Sequence, residues 1–106
     1  MARIVTVAGP ARLDLERIDV WTRRTFGTPA ALRYSGALTR LFNRIGRSPA
    51  DHGSRTEPGF GPAVRSMSIR IVFPRGQHRA YYVFDEKRVR IIRILHLASA
   101  LPYQLP

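Results

Sequence analysis

Near its C-terminal end the chain reads RVRIIRILH. Arg88, Arg90 and Arg93 are set among Val89, Ile91, Ile92, Ile94 and Leu95, and His96 closes the run. A guanidinium is a planar fork that pairs with two oxygens of a phosphate or a carboxylate. Three such groups in a branched apolar segment predict an anionic partner met at the surface of a strand. Composition points the same way. Eighteen Lys+Arg face seven Asp+Glu, a net charge of +11 over 106 residues. Lys87 is the one lysine, so the basic residues are almost all arginine. An excess of this size predicts nucleic acid or an acidic protein segment as partner.

Other chemistries are disfavoured. The chain has no cysteine, which excludes disulfides, thiolate metal sites and thiol nucleophiles, and agrees with a reducing compartment. His52, His78 and His96 share no metal-ligand spacing, so no metal and no cofactor are expected. Gly59-x-Gly61 is a turn signal and not a phosphate cradle, because no helix pattern follows it. No window approaches the roughly 18 apolar residues of a membrane span. MARIVTVAGP is too short and polar for a secretory signal, so a cytoplasmic location is expected. At 44% hydrophobic residues, one folded domain over 1–106 is expected, with a flexible tail over 97–106.

These groups need elements to position them. RIVTV, residues 3–7, predicts a short strand. After Gly9-Pro10, the apolar residues Ala11, Leu15, Ile18 and Trp21 recur at helical spacing to about Thr25. Asp14, Glu16 and Asp19 in its first half, and Arg23 and Arg24 in its last turn, suit the helix dipole. Gly27 predicts its stop. Thr28-Pro29 predicts a capped restart. The second stripe, Ala31, Tyr34, Leu38, Leu41, Phe42 and Ile45, leaves Arg33, Arg40, Arg44 and Arg47 outside it. With two residues between them, the helices predict an antiparallel hairpin.

Gly46 to Pro62 predicts a loop. From Val64 the period becomes two, with Met67, Ile69, Ile71 and Phe73 on one face. Strands are predicted to Phe73, over 78–84 and over 88–95, joined by turns at Pro74–Gln77 and Asp85–Lys87. The order β-α-α-β-β-β predicts an α+β fold, with a helical hairpin packed on one face of an antiparallel-rich sheet. The other face is left open, where the last strand can present arginine. The slip of phase at Ile91-Ile92 predicts a β-bulge or a centrally placed strand.

Four stretches, in order, resemble segments of the RelE/ParE superfamily of type II toxin–antitoxin toxins, on the ParE side. They are Asp14-Leu15 with Ile18 and Trp21; Gly59 to Met67 (GFGPAVRSM); Arg79 to Asp85 (RAYYVFD); and Arg90 to His96 (RIIRILH). The resemblance implies a toxin held by a cognate antitoxin with an acidic, flexible tail and a DNA-binding ribbon-helix-helix domain. It implies one of two activities: inhibition of DNA gyrase, the leading expectation, or cleavage of messenger RNA on the ribosome.

For gyrase inhibition no catalytic residue is required, and Arg65, Arg79, Arg88, Arg90, Arg93 and Trp21 are candidates for antitoxin or target contact. RNA cleavage needs an acid, a base and cations around the phosphorus. For that alternative His96, Tyr81 and Tyr103 are candidate proton-transfer groups, and Arg65, Arg79 and Arg93 candidate charge stabilisers. His96 also has a plain reading as a strand-end residue, and Tyr81 or Tyr82 as core. The chain departs from the family where it matters. Leu97 follows His96 where the RelE pattern has Arg, and His96 to Ala100 (HLASA) lacks the Arg and Asp of the ParE pattern H-G-A-R-D. Residues 70–77 lengthen the first hairpin. A third expectation is a non-toxic module that only binds its antitoxin.

Overall fold

The computed structural model describes residues 2–98. Tyr103 lies outside them, as does the predicted tail from residue 99. The elements run β1 (Ile4–Val7), α1 (Gly9–Phe26), α2 (Thr28–Arg47), β2 (Ser54–Thr56), β3 (Arg65–Ser68), β4 (His78–Phe84) and β5 (Arg88–His96). They form one sheet in the order β1-β5-β4-β3-β2, antiparallel except for the parallel pair β1 and β5. The helices pack on one face, so the predicted architecture is the observed one, with β2 as an added short edge strand inside the predicted loop.

A single residue joins the helices. The Gly27 N–H donates to the Arg23 carbonyl, and the Gly27 carbonyl accepts from the Ala31 N–H. Its backbone, at φ 92° and ψ 169°, occupies a region open essentially to glycine alone. Thr28 is therefore not the N-cap that was predicted: it already lies inside α2, and no side chain caps the helix.

The core lies between α2 and the sheet. Ala37, Leu38, Leu41 and Ile45 meet Met67, Ala80, Tyr82, Val89, Ile91 and Ile94. On α1 the inward face is Ala11, Leu15, Ile18 and Thr22. Trp21, predicted in that stripe, is 59% exposed. At 100° per residue it falls on the flank of the buried arc, while Thr22 falls at its centre and returns its hydroxyl to the Ile18 carbonyl.

Two further expectations change in the first long strand. β3 ends at Ser68, and Ile69–Ile71 form a 3₁₀ turn. The Ser68 hydroxyl accepts from the Arg70 N–H and bends the chain out of the ladder. Ile69 stays buried, but Ile71 becomes exposed. The predicted bulge is present: Tyr82 opposes Ile91 and Tyr81 opposes Arg93, leaving Ile92 as the extra residue. β5 is also central, flanked by β1 and β4.

Candidate partner-binding surfaces

Residues alternate across a strand, so Tyr81 and Tyr82 point to opposite sheet faces, and both are fully buried. Tyr82 lies in the core and donates to the Pro49 carbonyl. Tyr81 lies on the face away from the helices, roofed by Phe60 at 4.4 Å between ring centroids, interplanar angle 24°. Cross-strand pairs on this face include Ser66 with Tyr81, Arg55 with Ser66, Ser68 with Arg79, and Arg90 with Val83.

An arginine-rich network runs over it. Arg79 Nη1 donates to Ser66 Oγ at 3.0 Å, and Ser66 Oγ donates to Glu57 Oε1 at 3.1 Å. Arg55 Nε donates to the same carboxylate oxygen at 2.6 Å. Burial, then the charge of Arg55, lowers the Arg79 guanidinium from its ordinary value. Burial, then Glu57, raises the Tyr81 phenol. A phenol held in its neutral form is a poor base. Arg88 and Arg90 are exposed, on the strand that the core side holds through Val89 and Ile91.

Arg93 does not join them. Its Nε and Nη2 donate to Asp14 on α1 at 2.8 and 3.0 Å, and the Ile94 N–H donates to the same carboxylate at 2.9 Å. β1 ends at Val7, opposite Ile91. Beyond that point β5 has no strand on this edge, and the nearly buried Asp14 supplies the missing acceptor. Arg93, a candidate for partner contact, is in this structure the counter-ion of the buried Asp14. Arg65 is held too, by two hydrogen bonds to Ser54 Oγ at 3.0 and 2.7 Å.

His96 stands elsewhere. It opposes His78 across the β4–β5 ladder, and the rings lie 5.4 Å apart, edge to face. The Tyr34 hydroxyl on α2 accepts from the Gln77 N–H at 3.0 Å and contacts His78 Nδ1 at 2.6 Å. Burial first, then the charge of His96, lowers His78 to about 4, with Asp14 opposing. His78 is thus neutral near pH 7, and its tautomer sets which of the two groups donates in the Tyr34–Nδ1 contact. Among the described candidates, His96 is therefore not brought together with Arg79 and Tyr81. His96 is on the helix side, Arg79 and Tyr81 are on the open side, and Arg65 lies by the β2 edge.

The His78–His96 pair lies at the end of a cleft of about 800 Å³, between the helical hairpin and the turn that follows β3. Trp21, Phe26 and Phe73 give it apolar walls; Arg17, Arg33 and Arg75 give it charge. Sequence reasoning missed Tyr34, His78 and Glu57 as site-forming residues. The signal for His78 was available, because a bulge in β5 moves the residue opposite it from Leu95 to His96.

A family model described as the ParE toxin of the type II toxin–antitoxin system parDE matches residues 5–100. The chain belongs to the ParE toxin family. Among solved structures it is similar to a chain of the chromosomal ParDE toxin–antitoxin system from P. aeruginosa. That match has TM-score 0.74 and 18% identity, covering 91% of this chain and 97% of the other. A chain of the RelBE2 toxin–antitoxin complex from Mycobacterium tuberculosis matches at TM-score 0.64 and 20% identity, over 91% and 99% of the two chains. The YoeB/ParE toxin from Agrobacterium tumefaciens matches at TM-score 0.59 and 18% identity, over 88% and 96%. At these identities the structures show the shared fold. No curated protein sequence matches. As a ParE-family member the chain is a type II toxin–antitoxin toxin of the ParE/RelE superfamily. Among the described residues no helix is long and apolar enough to cross a membrane, and no group of three or more metal-ligating side chains occurs.

Proposed function

We propose that this ParE-family toxin acts by binding, in the cytoplasm, to DNA gyrase, and that an antitoxin with a ribbon-helix-helix domain and an acidic tail neutralises it. The observation that carries the reading is the separation of His96 from Tyr81, the two acid–base candidates among the described residues. His96 is parted from Arg79 and Tyr81 by the sheet itself, and Arg93 is already engaged by Asp14. A binder has no need of a proton-transfer set, whereas a nuclease does. The exposed Arg88 and Arg90 and the half-buried Arg79 offer charge to an acidic surface. The test is a supercoiling assay with purified toxin beside a ribosome-bound message. Blocked supercoiling with intact message is expected. Unimpeded supercoiling with cut message would reject the proposal.

A second reading, a ribosome-dependent endoribonuclease, draws on His96 at the arginine-lined cleft. His96→Ala separates the two, since a nuclease would lose most of its activity and a binder little. Growth arrest on expression without antitoxin is expected in both; its absence would point to a module that binds only its antitoxin.

A further inference from the structure

Charge is divided unevenly between the two sides of the molecule. The five strands carry six arginines and no aspartate or glutamate. The acidic residues sit on α1, at Asp14, Glu16 and Asp19, and in the connections, at Asp51, Glu57, Asp85 and Glu86. Two of the six arginines are held by the fold, Arg65 by Ser54 and Arg93 by Asp14. Alternation places the other four on the face away from the helices. Arg55 opposes Ser66, which opposes Tyr81, and Arg79 is two residues from Tyr81 on β4. Arg88 and Arg90 alternate with the core residues Val89 and Ile91. Glu57 meets this group and is already engaged, accepting from Arg55 and Ser66. Asp85 lies past Arg88 at the hairpin tip, where it accepts from the Lys87 and Arg88 N–H groups. Among the described residues Arg79 forms no ion pair; its Nη1 donates to the neutral Ser66 Oγ, although a guanidinium carries five donors.

The layout fits a polyanion of regular spacing. β2, β3, β4 and β5 are successive neighbours in the sheet. At about 4.8 Å between strands and about 3.4 Å per residue, the row from Arg55 to Arg88 is about 20 Å long. That length crosses the roughly 12 Å major groove of a duplex, from the phosphates of one strand to those of the other. An acidic protein would need an apolar anchor at the centre of the contact. Large apolar side chains are exposed on the helices, at Trp21, Phe26 and Leu32, whereas the sheet face has Ile4, at the β1 edge. Tyr81 is fully buried beneath Phe60, so its ring is no platform for stacked bases, which disfavours a single strand. Guanidinium groups over a polar sheet are the make-up of a phosphate-backbone contact, and phosphates carry no sequence information.

We infer that the open sheet face binds the phosphate backbone of duplex DNA without sequence preference, through Arg55, Arg79, Arg88 and Arg90. The use of this contact rests on the reading of the chain as a gyrase-binding toxin: the face would meet the DNA segment on which gyrase acts, and leave the helix side of the toxin turned away from it.

The probes are two fluorescein-labelled 20-base-pair duplexes of unrelated sequence, titrated by anisotropy against the intact chain without gyrase. Equal affinity for both is expected, with a Kd on the order of 1 µM at about 50 mM salt. Four phosphate contacts at about −0.9 each predict a slope of roughly −3.6 for log K against log salt, and about half of that for Arg55→Gln/Arg90→Gln. That variant should bind about tenfold or more weakly at low salt. Arg55 and Arg90 are exposed, so its thermal midpoint should match wild type. Arg40→Gln/Arg47→Gln removes the same charge from exposed positions of α2 and should bind nearly as wild type does. No duplex binding at low salt, equal losses in the two double variants, or tighter binding of a 20-nucleotide single strand would overturn the inference. So would a poly-glutamate peptide that binds through Arg55 and Arg90 while the duplexes do not. Supercoiling is assayed separately. A chain that binds duplex but leaves supercoiling unimpeded loses the gyrase reading alone, and one that inhibits gyrase without binding duplex loses this inference alone.

Discussion

Asp14 and Arg93 are 79 positions apart in sequence and share two hydrogen bonds. Read along the chain, Asp14 is a helix carboxylate and Arg93 a surface cation; nothing local says they meet. What brings them together is the early end of β1, which leaves the Ile94 N–H to be satisfied from α1. Asp14→Ala would strand that N–H and leave Arg93, whose side chain is 21% exposed, without its counter-ion. A loss of about 2–4 kcal/mol is expected in urea unfolding, from the unsatisfied donor and the broken partly buried pair. Replacing Arg88, which is exposed, by Ala should change stability by less than about 0.5 kcal/mol in the same experiment. His78 supplies a pH signature. Its folded-state value of about 4 lies below the ordinary 6.5, so the unfolded chain binds the extra proton between those limits. Stability is therefore expected to be full above pH 6.5 and to fall as pH drops toward 4. Asp14 from α1, Tyr34 from α2 and His96 from β5 are the groups that face it. His78→Gln should flatten that part of the stability–pH curve in thermal melts from pH 4 to 7.

At the scale of elements, both helices, the hairpin between them and the three main strands were legible, because period and breakers agree over long stretches. The bulge was legible from the adjacent Ile91 and Ile92. The shortened β3 was not, because the alternation through Ile69, Ile71 and Phe73 continues past the point where Ser68 turns the backbone. Gly76 helps explain the tight return: a Cβ there would lie 2.1 Å from Ile69 Cγ2. Gly27 has space for a Cβ, the nearest atom being Pro29 Cδ at 3.8 Å, so its constraint is conformational alone. Gly27→Ala is expected to cost about 1–3 kcal/mol, measured by thermal unfolding. Gly9→Ala, with nothing within 4 Å of its Cβ and a place at the start of α1, should not destabilise.

For the whole molecule, the layered plan was readable from the strand and helix order. The candidate site was readable only as a list of residue types. Arginine content predicted an anionic partner, but not which guanidiniums the fold keeps for itself. Arg93 is joined to Asp14, Arg65 to Ser54 and Arg79 to Ser66, while Arg88 and Arg90 remain exposed on β5. The exposed pair is where the sheet offers charge without loss of stability. If inhibition of gyrase depends on that offer, it should weaken as salt rises from about 50 to 200 mM, since exposed charges are screened over roughly 10 Å. The most direct measurement is the concentration of toxin that halves gyrase supercoiling, for wild type and for Arg88→Glu/Arg90→Glu with matched thermal midpoints. At least a tenfold rise for the variant is expected. Equal inhibition by both proteins, or none by the wild type, would contradict the account.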